Sequence, residues 1–180
     1  MAADAPTRVL VAVGSNIAPE RNVPAALDML AHQARLTGIS TFYRTAPLGR
    51  PEQPPFLNGA VRIETRHPAR ALKFDVLRAI ERRLGRVRTE DAFAPRPIDL
   101  DIALYGHAVI DEPDLRVPDP DIRARPFLAL PLLELEPDLV LPDTGQALAS
   151  LIQPEWASTM RPDAALTECL RSKLLGQEST

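Results

Sequence analysis

Apolar positions recur along this chain in two periods, one of about two residues and one of about four. Arg8 to Val13 (RVLVAV) is a short apolar run ending at Gly14-Ser15-Asn16, the pattern of a buried strand and a turn. Asn22 then reads as a helix cap, with Pro24 in the first turn, Leu27, Leu30, Ala31 and Ala34 on one face, and Gly38 as the stop. Ile39 to Arg44 is β-branched and aromatic, which predicts a strand, and a Pro/Gly loop runs from Thr45 to Pro55. Leu57 to Thr65 is a further strand with Val61 and Ile63 on one face. Pro68 opens a second helix, in which Leu72, Val76, Ile80 and Leu84 recur at four-residue spacing before Gly85 ends it. Ile98 to Tyr105 alternates cleanly, placing Ile98, Leu100, Ile102 and Leu104 on one face and Asp99, Asp101 and Ala103 on the other.

The predicted order is β-α-β-β-α-β. That is an α+β, two-layer, ferredoxin-like plan: one antiparallel sheet with two helices on one face. Asp99 and Asp101 are then expected on the face those helices leave uncovered. From Asp111 onward the chain reads as Pro-rich connection with short helices near 125–136, 146–152 and 163–175. The last of these carries Leu166, Cys169, Leu170 and Leu174 at helical spacing and is expected to pack on the domain. Residues 1–180 read as a single domain, with a C-terminal helical extension over 151–180.

Composition refines this picture at three points. The 19 prolines in 180 residues are about twice the usual share, yet they cluster in loops and leave the windows 25–46, 69–94 and 98–112 free for helices and strands. The predicted result is a packed fold with stiffened loops rather than a disordered linker. One cysteine, Cys169, precludes an internal disulfide and fits a reducing compartment. The N-terminal stretch lacks the apolar core of a signal peptide, and no run of 18 apolar residues spans a membrane, so a cytoplasmic protein is expected. The net charge of −3 disfavours a general nucleic-acid partner. Leu141 to Gly145 (LPDTG) matches a cell-wall sorting pentapeptide but lacks the tail such a signal needs, and it reads as a turn.

The candidate chemistry centres on Asp99 and Asp101. Residues i and i+2 of a strand project to the same side, with Cα atoms roughly 6.5–7 Å apart. Two carboxylates at that spacing share a proton, hold a cation, or simply form a solvated strand face. His32, His67 and His107 stand too far apart in sequence for ligand spacing, so hard oxygen donors for Mg²⁺ are the metal chemistry on offer. Arg82, Arg83, Arg86, Arg88 and Arg96 precede the acid pair, and Arg116, Arg123 and Arg125 follow it. Arginine forks suit phosphate oxygens, so carboxylates ringed by arginines point to phosphoryl transfer. Arg82 and Arg83 also suit salt bridges on the helix surface. Neither GxxxxGK[ST] nor GxGxxG is present, so a nucleotide site must be built from side chains. Phe56, Phe93 and Phe127 fall in or beside Pro-rich loops, where they either stack on a planar heterocycle or anchor the loops. Asn58 offers a donor and an acceptor to a heterocycle's edge.

Six segments together resemble a known family: VAVGSN (11–16), FYRTAPLG (42–49), QPPFLNGAV (53–61), GRVR (85–88), PRPIDLDIALYG (95–106) and RPFLALPLLELEPDLVLPD (125–143). Their order and spacing are similar to 6-hydroxymethyl-7,8-dihydropterin pyrophosphokinase, over about residues 8–145. The resemblance implies a ferredoxin-like fold and Mg²⁺-dependent transfer of pyrophosphate from ATP to a dihydropterin in folate biosynthesis. It implies that Asp99 and Asp101 hold two Mg²⁺ ions and that Arg86 and Arg96 clamp phosphates, supported by Arg88 and Arg125. It implies a pterin stacked between Phe56 and Phe127, bonded to Asn58, and meeting the backbone of Thr45 to Leu48. It also puts Glu81 and Ile102 at the nucleoside and Phe93 at a loop tip.

Three positions depart from the family pattern. Val117-Pro118 is followed by Asp119 where the family usually has His, Ala94 stands where Gly is favoured, and Ala46 replaces a common proline. These departures motivate the alternative of a non-catalytic or altered-specificity pterin- or nucleotide-binding paralogue.

Overall fold

The computed structural model describes residues 5–176. Strand β1 (Thr7–Ser15) is the central strand, with β4 (Phe56–Thr65) on one side and β5 (Asp99–Tyr105) on the other, both antiparallel. Strands β2 (Arg35–Ile39) and β3 (Tyr43–Thr45) occupy successive lengths of the far edge of β4, and β8 (Met160–Pro162) adds to β3. A separate ribbon pairs β6 (Ile110–Glu112) with β7 (Leu115–Val117). The ferredoxin-like α+β plan is therefore present: β1, α1, β2/β3, β4, a second helical segment and β5, as the periodicity predicts.

The edge strand differs from the predicted Ile39–Arg44. It begins earlier and breaks at Ser40–Phe42, where Ser40 Oγ accepts from Ala60 N at 2.8 Å in place of a ladder bond. Helix α1 (Pro19–Ala31) also starts and stops earlier than expected. Its N-cap is Ala18, with φ of 42°, while Asn22 lies inside the helix and donates to Ile17 O at 2.7 Å. Gly38 belongs to β2 rather than to a helix stop. The second helical segment runs from α2 (Ala69–Ala71) through a π-helical stretch (Leu72–Leu77) into α3 (Arg78–Arg83), and Gly85 follows it at φ 88°.

Two cores sandwich the sheet. Val9, Val11, Val13, Leu57, Val61, Ile63, Ile98, Leu100 and Ile102 meet the two helical segments, together with Leu170 of α5 (Ala164–Leu174). On the opposite face, Leu10, Ala60, Ala103 and Leu104 meet Ile122, α4 (Pro126–Leu135) and Trp156. The face expected to be bare is thus partly covered. Leu104 also leaves the side predicted for it: the β1–β5 register shifts between Leu10 and Val11, and this irregularity turns Leu104 towards α4. Cys169 of α5 is exposed rather than packed.

The segment after residue 151 is stitched to the break in the edge strand. Asp163 N donates to Phe42 O at 2.8 Å, and Phe42 N donates to Thr167 Oγ1 at 2.9 Å. Phe42 itself is fully buried, and a Cβ on Gly59 would fall 2.8 Å from its ring. Such overpacking costs about 1–3 kcal/mol. Gly59→Ala is expected to lower the urea midpoint accordingly without changing the m-value, and a smaller ring-free residue at position 42 should recover part of the loss.

Candidate active site

The register of three strands assembles the site. Gly14 of β1 lies opposite Asn58 of β4 and Asp99 of β5, and Ala12 lies opposite Asp101. Asn58 and Asp99 are therefore two strands apart, roughly 9–10 Å, with only small residues between them. A cavity of about 340 Å³ opens there, lined by Ala12, Gly14, Asn58, Asp99 and Asp101 from the sheet and by Thr45, Leu48, Phe56, Phe93, Arg96, Asp119, Arg125 and Phe127 around it. A side chain at Gly14 would come within 2.7 Å of Asn58 Oδ1, so glycine there is what gives Asn58 its place. Asn58 Nδ2 donates to Thr45 Oγ1 at 2.8 Å, which leaves its carbonyl oxygen for a ligand's edge. Phe127, on the first turn of α4, sits where that helix stops covering the sheet.

Two loops border this cavity. Asn16, almost fully buried, accepts from Arg96 N at 2.8 Å and donates to Gln53 Oε1 at 3.1 Å, so one side chain holds both loops. Gln53 Nε2 donates to Phe93 O at 2.8 Å, and Arg50 pairs with Asp91. Nothing in the hydrophobic pattern singled out Asn16 or Gln53, because their partners are distant in sequence.

Charge is distributed unevenly over the acid pair. Arg86 Nη1 donates to Asp99 Oδ1, and Arg96 Nη1 donates to Asp99 Oδ2 at 2.8 Å. Burial works to raise the Asp99 carboxyl, but the two guanidinium charges overcome it and hold it below its usual value. Asp101 receives no such partner among the described residues. Burial first, then the charges of Asp99 and Glu81, push its carboxyl up to about 7 against a weaker pull from Lys73. Asp119 is also raised, by burial and by Asp121 and Asp99, although Asp121 N donates to its Oδ1 at 2.9 Å.

Several predicted residues occupy other positions. Glu81 is 1% exposed and does not reach the cavity. Its Oε1 accepts from Leu100 N at 2.9 Å and from Arg86 at 3.3 Å, and its Oε2 accepts from Arg88 at 2.8 Å. Arg86 and Arg88 are thus engaged behind β5, and Arg86 also donates to Ile98 O at 2.9 Å. Arg125 lines the cavity and makes no ion pair among the described residues. Ile102 is buried in the helix-side core and borders a second, more open cavity of about 480 Å³. Asp101 and Asp119 line both cavities, and Lys73 lines the second. Nothing in the sequence pattern singled out Lys73, which directly follows the apolar Leu72.

The donor set suits a hard divalent cation only in part. No cluster of three or more His, Cys, Asp or Glu among the described residues has the spacing of a metal site. Asp99 and Asp101 nevertheless offer carboxylate oxygens on one face, and the elevated Asp101 carboxyl marks a place where positive charge is missing. Mg²⁺ characteristically takes one or two carboxylates and completes its shell with water and phosphate oxygens, so the pair fits an ion that arrives with a phosphate ligand.

Residues 10–137 match the family model described as 7,8-dihydro-6-hydroxymethylpterin-pyrophosphokinase. The chain belongs to this family. A 2-amino-4-hydroxy-6-hydroxymethyldihydropteridine pyrophosphokinase of Pseudomonas aeruginosa is 43% identical over 148 residues, 81% of this chain and 90% of that protein. The enzyme of the same description from Haemophilus influenzae is 37% identical, covering 79% of this chain and 89% of its own. The folic acid synthesis protein fol1 of Schizosaccharomyces pombe is 40% identical over 139 residues, which make up 75% of this chain but 19% of that longer protein. Every residue lining the two cavities falls inside the pyrophosphokinase match, whereas β8 and α5 lie beyond it.

A carboxyl whose folded value lies above its unfolded value favours folding while protonated and loses that contribution as pH rises. For Asp101 the window runs from its ordinary 3.8 to about 7. The metal-free protein should therefore become less stable as pH rises through that window. Asp101→Asn should reduce the slope and stabilise the protein at pH 8, with little effect at pH 4. Urea denaturation at both pH values measures it; an unchanged slope would mean that Asp101 ionises freely.

Proposed function

We propose that this chain transfers the β,γ-pyrophosphoryl group of ATP to the hydroxymethyl oxygen of 6-hydroxymethyl-7,8-dihydropterin and releases AMP, a step in folate biosynthesis. Family membership supports the reaction class. The observation that carries the site assignment is that Asp99 and Asp101 line a partly aromatic cavity suited to a flat heterocycle, while Asp101 also lines a charged cavity suited to a polyphosphate.

In this reading the pterin stacks between Phe56 and Phe127, bonds to Asn58, and meets the backbone of Thr45 to Leu48, with Phe93 at the rim. Asp99 and Asp101 would hold two Mg²⁺ ions, which would neutralise the triphosphate and lower the cost of charge building up at the β-phosphorus. Arg96 and Arg125 reach the phosphates from the cavity wall. Arg86, with Arg88 and Glu81 behind it, fixes Asp99 in position, and Ile102 contributes an apolar surface to the nucleoside. The hydroxymethyl oxygen attacks the β-phosphorus in line, the bond from that phosphorus to the α-phosphate oxygen breaks, and AMP leaves. The acceptor for the hydroxyl proton is either Asp101, the carboxylate without an arginine, or a water molecule at the site. An enzyme using ATP with a single, exposed cysteine suits the cytoplasm.

Incubation with MgATP and the hydroxymethyl-dihydropterin should yield AMP; ADP as the product would refute the assignment. Asp99→Ala and Asp101→Ala should each lower kcat by on the order of 10²-fold or more, the scale of lost electrostatic stabilisation. Phe127→Ala should weaken pterin binding by about tenfold while leaving MgATP binding within twofold.

A further inference from the structure

The second cavity has two cations on its wall, Lys73 and Arg116. Arg116 lies with Nε 3.4 Å from Asp111 Oδ1. The acid Asp114, on the same wall, is matched by Arg70, whose two terminal nitrogens donate to it at 2.9 and 3.0 Å. Lys73 has no hydrogen bond or ion pair among the described residues. Its ammonium stands 5.7 Å from the Phe74 ring centroid, at the level of the π-helical stretch, and its charge acts on Asp101, Asp114 and Asp119.

Asp101 and Asp119 form the acidic boundary between the two cavities. Both acids line the second cavity, so a polyphosphate there lies beside Asp101 and Asp119 together, and like charges at short range in a partly buried site repel strongly. An unpaired ammonium on a flexible four-carbon stem, with three donors to turn towards an anion, is the group that can offset that repulsion.

We propose that Lys73 binds the phosphate chain of the nucleotide, compensating Asp119 and admitting the triphosphate to Asp99 and Asp101. The proposal rests on the pyrophosphokinase reading, and it adds a phosphate contact on the helix opposite the arginine-bearing loop.

Titration calorimetry on the full chain tests it. Lys73→Met should weaken MgATP binding by about tenfold, the scale of one charge-assisted hydrogen bond, leave adenosine and pterin binding within twofold, and flatten the salt dependence of ATP affinity. Lys73→Arg should retain most of the affinity. Asp119→Asn should tighten MgATP binding in the wild-type background. Unchanged MgATP affinity in Lys73→Met, or equal losses for ATP and adenosine, would overturn the proposal. These outcomes are separable from failure of the parent reading: a wild type that binds MgATP through Lys73 but makes no AMP keeps the contact and loses the reaction, whereas a wild type that binds no MgATP loses both.

Discussion

Two carboxylates fixed two residues apart on a half-buried strand repel each other, and most of the site can be understood as a response to that repulsion. The response is incomplete in its effect: Asp99 is clasped by Arg86 and Arg96, while Asp101 accepts a hydrogen bond from no cation among the described residues and is left with a carboxyl raised to about 7. Glu81 holds the arrangement from behind, binding the β5 backbone at Leu100 and both Arg86 and Arg88 with one buried carboxylate. A fold selected only for stability would gain by removing Asp101. Keeping it leaves a standing demand for positive charge at this point of the cavity.

The cavity itself is a consequence of side chains that are small or missing. Ala12 and Gly14 floor the middle strand between Asn58 and the acids, and Gly14 could carry no Cβ without displacing Asn58. Helix α4 covers part of the same sheet face, so the open space is what remains beyond its first turn, where Phe127 and Leu128 end the apolar layer. The Pro-rich loops then close around that space through Asn16, Gln53 and the Arg50–Asp91 pair. Proline limits backbone freedom in these loops, which lowers the entropy to be lost when they order around a ligand.

The C-terminal part has a different task. It reaches back to the broken edge strand at Phe42, where Asp163 and Thr167 satisfy backbone groups that no continuous ladder would serve. Arg44 joins the same junction, donating to Asp163 at 2.8 Å and pairing with Glu20 at the start of α1. The β3 end that carries Thr45, Asn58's partner, is thereby braced from outside the region shared with the pyrophosphokinase family.

Local and periodic features were readable in the chain alone. The alternation of Ile98 to Ile102, the four-residue spacing of Leu72, Val76 and Ile80, and the i, i+2 relation of Asp99 and Asp101 depend on neighbours within one element, and those neighbours are written side by side. The family resemblance rested on such segments too. The tertiary structure alone decided what depends on contacts between distant segments: the irregularity that sends Leu104 to the opposite core, the second layer under α4, and the enclosure of Glu81. It also decided the inequality of the two aspartates. Spacing makes Asp99 and Asp101 equivalent, but a carboxylate's charge state follows from desolvation and from which cations reach it, and the chain's path brings Arg86 and Arg96 to one of the pair.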